Sequence, residues 1–230
     1  MKVGYEDLGT KAYKECWEYQ QQLFDEVLLR QKDESASEDG GTILFVEHNP
    51  VYTLGKSGKE SNMLVNEEYL KRLGAEFFHI DRGGDITFHG PGQIVGYPIL
   101  DIAKLGIGVR RYVEILEQAV IDTVSHYGIA AERLDGATGV WICDRDENGE
   151  ARNWRKICAI GVRASHFVTM HGFALNVATE LRWFSMINPC GFVDKGVTSI
   201  EKECGKKIDI EQVKEILLKR LLTLLCVELK

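Results

Sequence analysis

The chain has 230 residues, a length suited to one α/β domain, and its 44% hydrophobic and 27% charged residues can build a core without disulfides or structural metal. A formal net charge of −7 runs against a general nucleic-acid binder, which carries a basic footprint, and against an anionic membrane surface as partner. Cys16, Cys143, Cys158, Cys190, Cys204 and Cys226 form no CxxC pair, so we expect neither metal nor disulfides but reduced thiols in a cytoplasmic protein.

Residues 1–10 hold neither an apolar run nor a cationic lead-in, so no secretory signal is expected, and the most apolar stretch, 221–227, is too short to cross a bilayer. Tyr13, Cys16, Trp17, Phe24, Val27 and Leu28 fall on one stripe at helical spacing and predict an amphipathic helix over about 10–30. The polar, acidic stretch 31–41 reads as a mobile loop. Thr42 to Glu47 is β-branched and apolar, a buried strand that stops at Pro50. Residues 66–73 suit a short helix closed by Gly74, and 76–80 and 94–102 read as strands on either side of a glycine-rich turn. Val109, Tyr112, Val113, Leu116, Val120, Val124 and Tyr127 mark a second long helix, ended by Gly128. The section 129–177 is β-rich, with a turn at 144–149. A last helix starts around Asp209, with Gln212 at capping-box spacing and Val213, Ile216, Leu217, Leu221 and Leu224 on its inner face. There is no internal repeat and no linker within 42–230, and this order of elements predicts an α/β (α+β) fold with helices packed on a mixed sheet.

Three segments look chemical. Arg82-Gly83-Gly84-Asp85-Ile86-Thr87-Phe88-His89-Gly90-Pro91-Gly92-Gln93 concentrates glycines that let backbone approach a ligand, beside polar side chains that a plain turn does not need. It is neither a P-loop, lacking the terminal Gly-Lys-Ser/Thr, nor a GxGxxG turn. Lys156-Ile157-Cys158-Ala159-Ile160-Gly161 opens an apolar strand with a lysine, and simple alternation places Lys156, Cys158 and Ile160 on one face. The segment His171-Gly172-Phe173-Ala174-Leu175-Asn176 follows it. In Asn188-Pro189-Cys190-Gly191 a cysteine sits in a turn, where a structural thiol has little reason to be; Cys204, beside Gly205, is a weaker rival.

With RGGDITFHGPGQ followed by YPI, then KICAIGVR, HGFALNV and NPCG in this order, the sequence resembles the lipoyl(octanoyl) transferase family from about Thr42 to Ile200. The resemblance implies one catalytic domain over 1–230, similar to that of biotin and lipoate protein ligases. It implies transfer of octanoyl from acyl carrier protein to a lysine of lipoyl domains, in 2-oxoacid dehydrogenase E2 subunits and glycine cleavage H protein. No cofactor, ATP or metal is expected. Cys190 matches the nucleophile that becomes a thioester, and Lys156 the lysine that lowers the thiol pKa. Arg82, Gly83, Gly84, Asp85, Ile86, Thr87, Phe88 and His89, with Ala159, Ile160, Gly161 and Gly172, Phe173, Ala174, match the acyl-pocket walls; the pocket is expected to end near Phe173. His171 is an auxiliary candidate, and His89 has two readings, proton acceptor or loop-orienting group. The alternatives are an ATP-dependent lipoate ligase, an amidotransferase between protein lysines, and a non-catalytic lipid-binding module. Arg152, Arg155, Lys156 and Arg163 lie in a stretch without acidic residues, and Arg152 and Arg155 are expected to face the donor.

Overall fold

The computed structural model of the protein describes residues 1–32, 38–188 and 195–230. Its strands are β1 (Lys2–Lys11), β2 (Asp39–His48), β3 (Val51–Leu54), β4 (Glu76–His79), β5 (Ile86–His89), β6 (Gln93–Leu100), β7 (Glu132–Leu134), β8 (Ala137–Arg145), β9 (Ala151–Ser165), β10 (Val168–Asn176), β11 (Gly196–Val197) and β12 (Glu228–Leu229). The α-helices are α1 (Tyr13–Gln31), α2 (Glu67–Arg72), α3 (Val109–Ser125), α4 (Ile200–Cys204) and α5 (Ile210–Leu225).

A nine-stranded sheet runs β12-β1-β2-β6-β10-β9-β8-β7, with β11 also pairing to β9, and β4-β3-β5 form a separate three-stranded sheet. The large sheet is mixed: β1 is parallel to β2 and β12, and β11 to β9, whereas the path from β2 to β7 is antiparallel. Both faces are covered. On one, α3 and α5 bury Tyr112, Leu116, Val120, Val213, Leu217 and Leu221 against Ile43, Phe45, Ile94, Phe173 and Leu175. On the other, Cys16, Leu23, Phe24 and Val27 of α1 pack on Leu44, Val46, Val95, Tyr97 and Ala174. Burial on alternate residues of each strand therefore serves two cores, which is why β6 and β10 read as unbroken apolar runs.

The helices form where their periodicity predicts, α1 from Tyr13 and α5 with Asp209 accepting a hydrogen bond from the Glu211 N–H. Gly128 follows α3 with φ 77°, a conformation that suits a residue without Cβ. The segment 1–10, without a predicted element, is strand β1, and the chain resumes as β3 directly beyond Pro50, changing sheets at the proline. Of the stretch 31–41, residues 33–37 lie outside the described ones, while α1 reaches Gln31 and β2 begins at Asp39. Among the described residues no helix is long and apolar enough to cross a membrane.

Candidate active site

A cavity of about 390 Å³, in the size range of small-molecule sites, lies between the α1 face of the large sheet and the small sheet. Its floor comes from paired strands: Gly172 faces Gly161, Phe173 faces Ile160, and Ala174 faces Ala159 across β10 and β9. In each triplet the outer, small residues turn to the cavity, while the middle ones, Ile160 and Phe173, turn into the core under α3 and α5. The Phe173 ring lies edge-on to Phe45 and over Gly96, on the core side of the sheet. Gly161 has no room for a side chain, since a Cβ would stand 2.6 Å from the Gly83 carbonyl oxygen and 3.0 Å from Arg82 Cδ. The glycine loop closes this end, held by the Gly83 N–H donating to the Val162 carbonyl at 2.9 Å.

Lys156 borders the opposite end, five residues along β9 or roughly 16 Å away. It does not share a face with Cys158 and Ile160. Val140 of β8 pairs with Cys158, but the next residue, Trp141, pairs with Lys156, so Ile157 is an extra residue on β9. This β-bulge reverses the alternation and brings Lys156 to the side of Ala159 and Gly161. Its Nζ donates to the Thr138 carbonyl at 3.2 Å and stands 4.6 Å from the centre of the Trp141 ring. Cys158 is fully buried, and desolvation pushes its thiol up, away from reactivity.

The glycine segment is half strand: Ile86–His89 is β5, paired with β3. Arg82, Gly84, Asp85, Ile86, Thr87 and His89 border the cavity, whereas Gly83 bonds to β9 and the Phe88 ring stacks on Trp183 beneath the small sheet. Arg82 is buried and donates to the Thr53 carbonyl at 2.7 Å, the Thr53 hydroxyl at 3.0 Å and the Gly83 carbonyl at 3.0 Å. His89 Nδ1 lies 2.9 Å from Gln93 Oε1, and the Gln93 amide donates to Asn176 Oδ1 at 2.9 Å. That orientation of Gln93 assigns the proton of His89 to Nδ1 and leaves Nε2 to the Thr53 hydroxyl, 3.4 Å away. Burial pushes the His89 pKa down to about 3, and the ring is neutral. Both nitrogens thus have partners within the fold. His171 is 1% exposed and reaches Asp81, 2.8 Å from its Nε2, while Asp81 also pairs with Arg163 at 2.6 Å. The hydrogen bond from His171 holds the Asp81 carboxyl below its ordinary range, and desolvation lowers the imidazole pKa.

The sequence segments 82–89, 159–161 and 171–174 thus meet around one cavity, with Lys156 at its edge; Cys190 lies outside the described residues. Tyr97, Thr138, Trp141 and Asn176 border the cavity without having been singled out, although Tyr97, in YPI, and Asn176, in HGFALN, stood in motifs. The arginine patch is already neutralised at home. Arg155 grips Glu203 with two hydrogen bonds of 2.7 Å and pairs with Asp144, and Arg152 pairs with Asp146 and Glu150.

Solved structures share this architecture across the whole chain. A lipoate-protein ligase A bound with ATP superposes with a TM-score of 0.70 at 14% identity, over 100% of this chain and 88% of that one. The putative lipoate protein ligase Ta0514 of T. acidophilum, with bound lipoic acid, gives 0.67 at 15% identity, over 100% and 88%. At these identities the likeness is one of fold. The chain belongs to the family described as the Lipoyl protein ligase A/B catalytic domain, matched over residues 13–222. Within it, an octanoyltransferase of Bacteroides fragilis is 54% identical over 98% of this chain and 99% of the relative. Those of Parabacteroides distasonis and Flavobacterium johnsoniae are 54% and 47% identical, over 91% and 96% of this chain and 92% and 95% of theirs. The chain falls among the octanoyltransferases, acyltransferases of lipoate biosynthesis.

Proposed function

We propose that the chain takes octanoyl from acyl carrier protein and passes it to a lysine of a lipoyl domain through a thioester on Cys190. The thiolate attacks the donor carbonyl, the bond to the carrier sulfur breaks, and the leaving thiolate takes a proton from the Lys156 ammonium. The neutral acceptor amine then attacks the enzyme thioester, releases Cys190 as thiolate and returns a proton to Lys156. A thioester becomes a more stable amide, so the exchange needs no ATP, metal or other cofactor. The lysine raises the thiolate fraction, which is only a few per cent for an unperturbed thiol at neutral pH.

The observation that carries this reading is the turning of Lys156 into the cavity beside Lys195, Gly196 and Val197, which follow Cys190 closely in the chain. Val197 pairs with Lys156, and the Thr198 N–H donates to the Lys156 carbonyl at 3.0 Å. Acceptors would be the lipoyl domains of 2-oxoacid dehydrogenase E2 subunits and the glycine cleavage H protein, met in the cytoplasm. The acyl chain would lie on the Ala159–Gly161 and Gly172–Ala174 floor under the 82–89 loop, with His171 as auxiliary at the closed end. Intact-mass measurement after exposure to octanoyl carrier protein should show one hydroxylamine-labile octanoyl adduct on the Cys190 peptide and none in Cys190→Ser. An adduct on Cys204, or a Cys190→Ser enzyme that still octanoylates its acceptor from octanoate and ATP, would overturn it.

A further inference from the structure

We propose that Trp141 is a positioning residue for Lys156: its indole face and the Thr138 carbonyl together hold the lysine as an ammonium on the cavity side of β9. The inference rests on the reading of Lys156 as the group that acidifies Cys190, and it supplies what that reading lacks. A lysine beside an acyl-filled cavity loses solvent, and desolvation favours the neutral amine, which cannot stabilise a thiolate.

The surroundings of Nζ oppose that loss. Trp141, 2% exposed, presents its ring 4.6 Å from Nζ, and a ring face attracts a cation more strongly as water is withdrawn. The indole is fixed in turn by Nε1, which donates to the Ala137 carbonyl at 2.8 Å. The bulge at Ile157 is what sets Lys156 opposite Trp141 across the strands. Gly139 completes the seat. A Cβ there would stand 2.6 Å from the Cys158 carbonyl oxygen, which excludes a side chain, and 3.5 Å from Lys156 Cε, so the lysine stem runs past the bare glycine at contact distance. From α3, buried Glu117 accepts the Gly139 N–H at 3.0 Å and the Arg133 Nε–H at 2.9 Å, which fixes the start of β8 that carries the Thr138 carbonyl. Among the described residues, the charged groups near the seat include Glu117 from α3 with its partner Arg133, and Lys195 from the segment before β11. The carbonyl dipole and the ring face both favour the charged lysine and offer little to the neutral one.

The test measures alkylation of Cys190, resolved by peptide mass spectrometry, from about pH 6 to pH 9. Trp141 is replaced by mono-, di- and tetrafluorotryptophan, which weaken the negative ring face while keeping its shape, and by Leu. We expect neutral-pH alkylation to slow stepwise with fluorination, by roughly three- to tenfold at the tetrafluoro ring, with the profile displaced to higher pH. In a Lys156→Ala background fluorination should change nothing. Profiles that superimpose on the wild type, while Lys156→Ala alone is displaced, would overturn the role of Trp141 and leave that of Lys156 standing. A Lys156→Ala profile like the wild type's would remove the underlying reading itself. Fluorination that slows alkylation even without Lys156 would show that the ring acts by another route, which also rejects the proposal. Trp141→Leu adds a truncation arm, and the isosteric fluorinated rings decide the matter if that variant does not fold.

Discussion

At His89 burial and hydrogen bonding act in opposite directions, and burial wins: desolvation lowers the pKa, the Gln93 bond raises it, and the result is about 3 against an ordinary 6.5. The depressed value has a consequence for stability. Above about pH 6.5 the ring is neutral in both the folded and unfolded chain and the full contribution is present. As pH falls below 6.5 the unfolded chain binds a proton that the folded one refuses, so stability drops by on the order of 1.4 kcal/mol per pH unit until the folded pKa is reached. His48, pushed down to about 4 by the same burial, adds to the loss over most of that window. Urea unfolding should therefore weaken steadily between about pH 6.5 and pH 4, and His89→Gln should flatten the decline by about one proton's worth. Equal slopes in the two proteins would mean that the histidine is charged in its folded setting.

At the level of elements, what could be read from the sequence was whatever repeats within one segment. The stripes Tyr112, Leu116, Val120 and Val213, Leu217, Leu221 locate α3 and α5 because helix periodicity is local. The triplets Ala159–Gly161 and Gly172–Ala174 were named through the family resemblance and not through any local period, and they pair into one floor. Which member faces the ligand was not legible, because β9 has a core on one side and the cavity on the other. The face of Lys156 was misjudged for a related reason: a bulge is fixed by register with β8, a partner that alternation within β9 does not reveal. The strand β1 escaped notice because its mixed burial gives no clean two-residue period, and β3 because Pro50 reads as an end although it is the corner between two sheets. The hairpin of β7 and β8 is the element on which the lysine seat depends, and Glu117 ties it to α3. Glu117→Ala leaves the Gly139 N–H without its partner, so thermal or urea unfolding should show a loss of about 1–3 kcal/mol. Stability within a few tenths of wild type would show that the turn holds itself.

Over the whole molecule the charge of −7 would oppose an acidic carrier protein, the donor proposed above, and the arginines Arg152 and Arg155 that could relieve it are paired with Asp144, Asp146, Glu150 and Glu203. Raising ionic strength from about 20 to 200 mM should therefore lower the Michaelis constant for the carrier or leave it level, as screening weakens the general repulsion. A several-fold rise would instead locate a cationic dock beyond these paired arginines. The cavity floor has a different kind of consequence, one for the descent of the protein. Gly161 and Gly172 admit no side chain, since a Cβ at the second would stand 2.1 Å from the Gly96 carbonyl oxygen. Ala159 and Ala174 are the floor positions where a larger residue has somewhere to go, and that place is the cavity itself. With the acyl chain seated as proposed, drift at the floor is a ratchet: single substitutions at Ala159 or Ala174 would shorten the chain that fits, and a lineage that takes up longer chains would have to carve room elsewhere in the lining, at Ile86, Thr87 or Phe184.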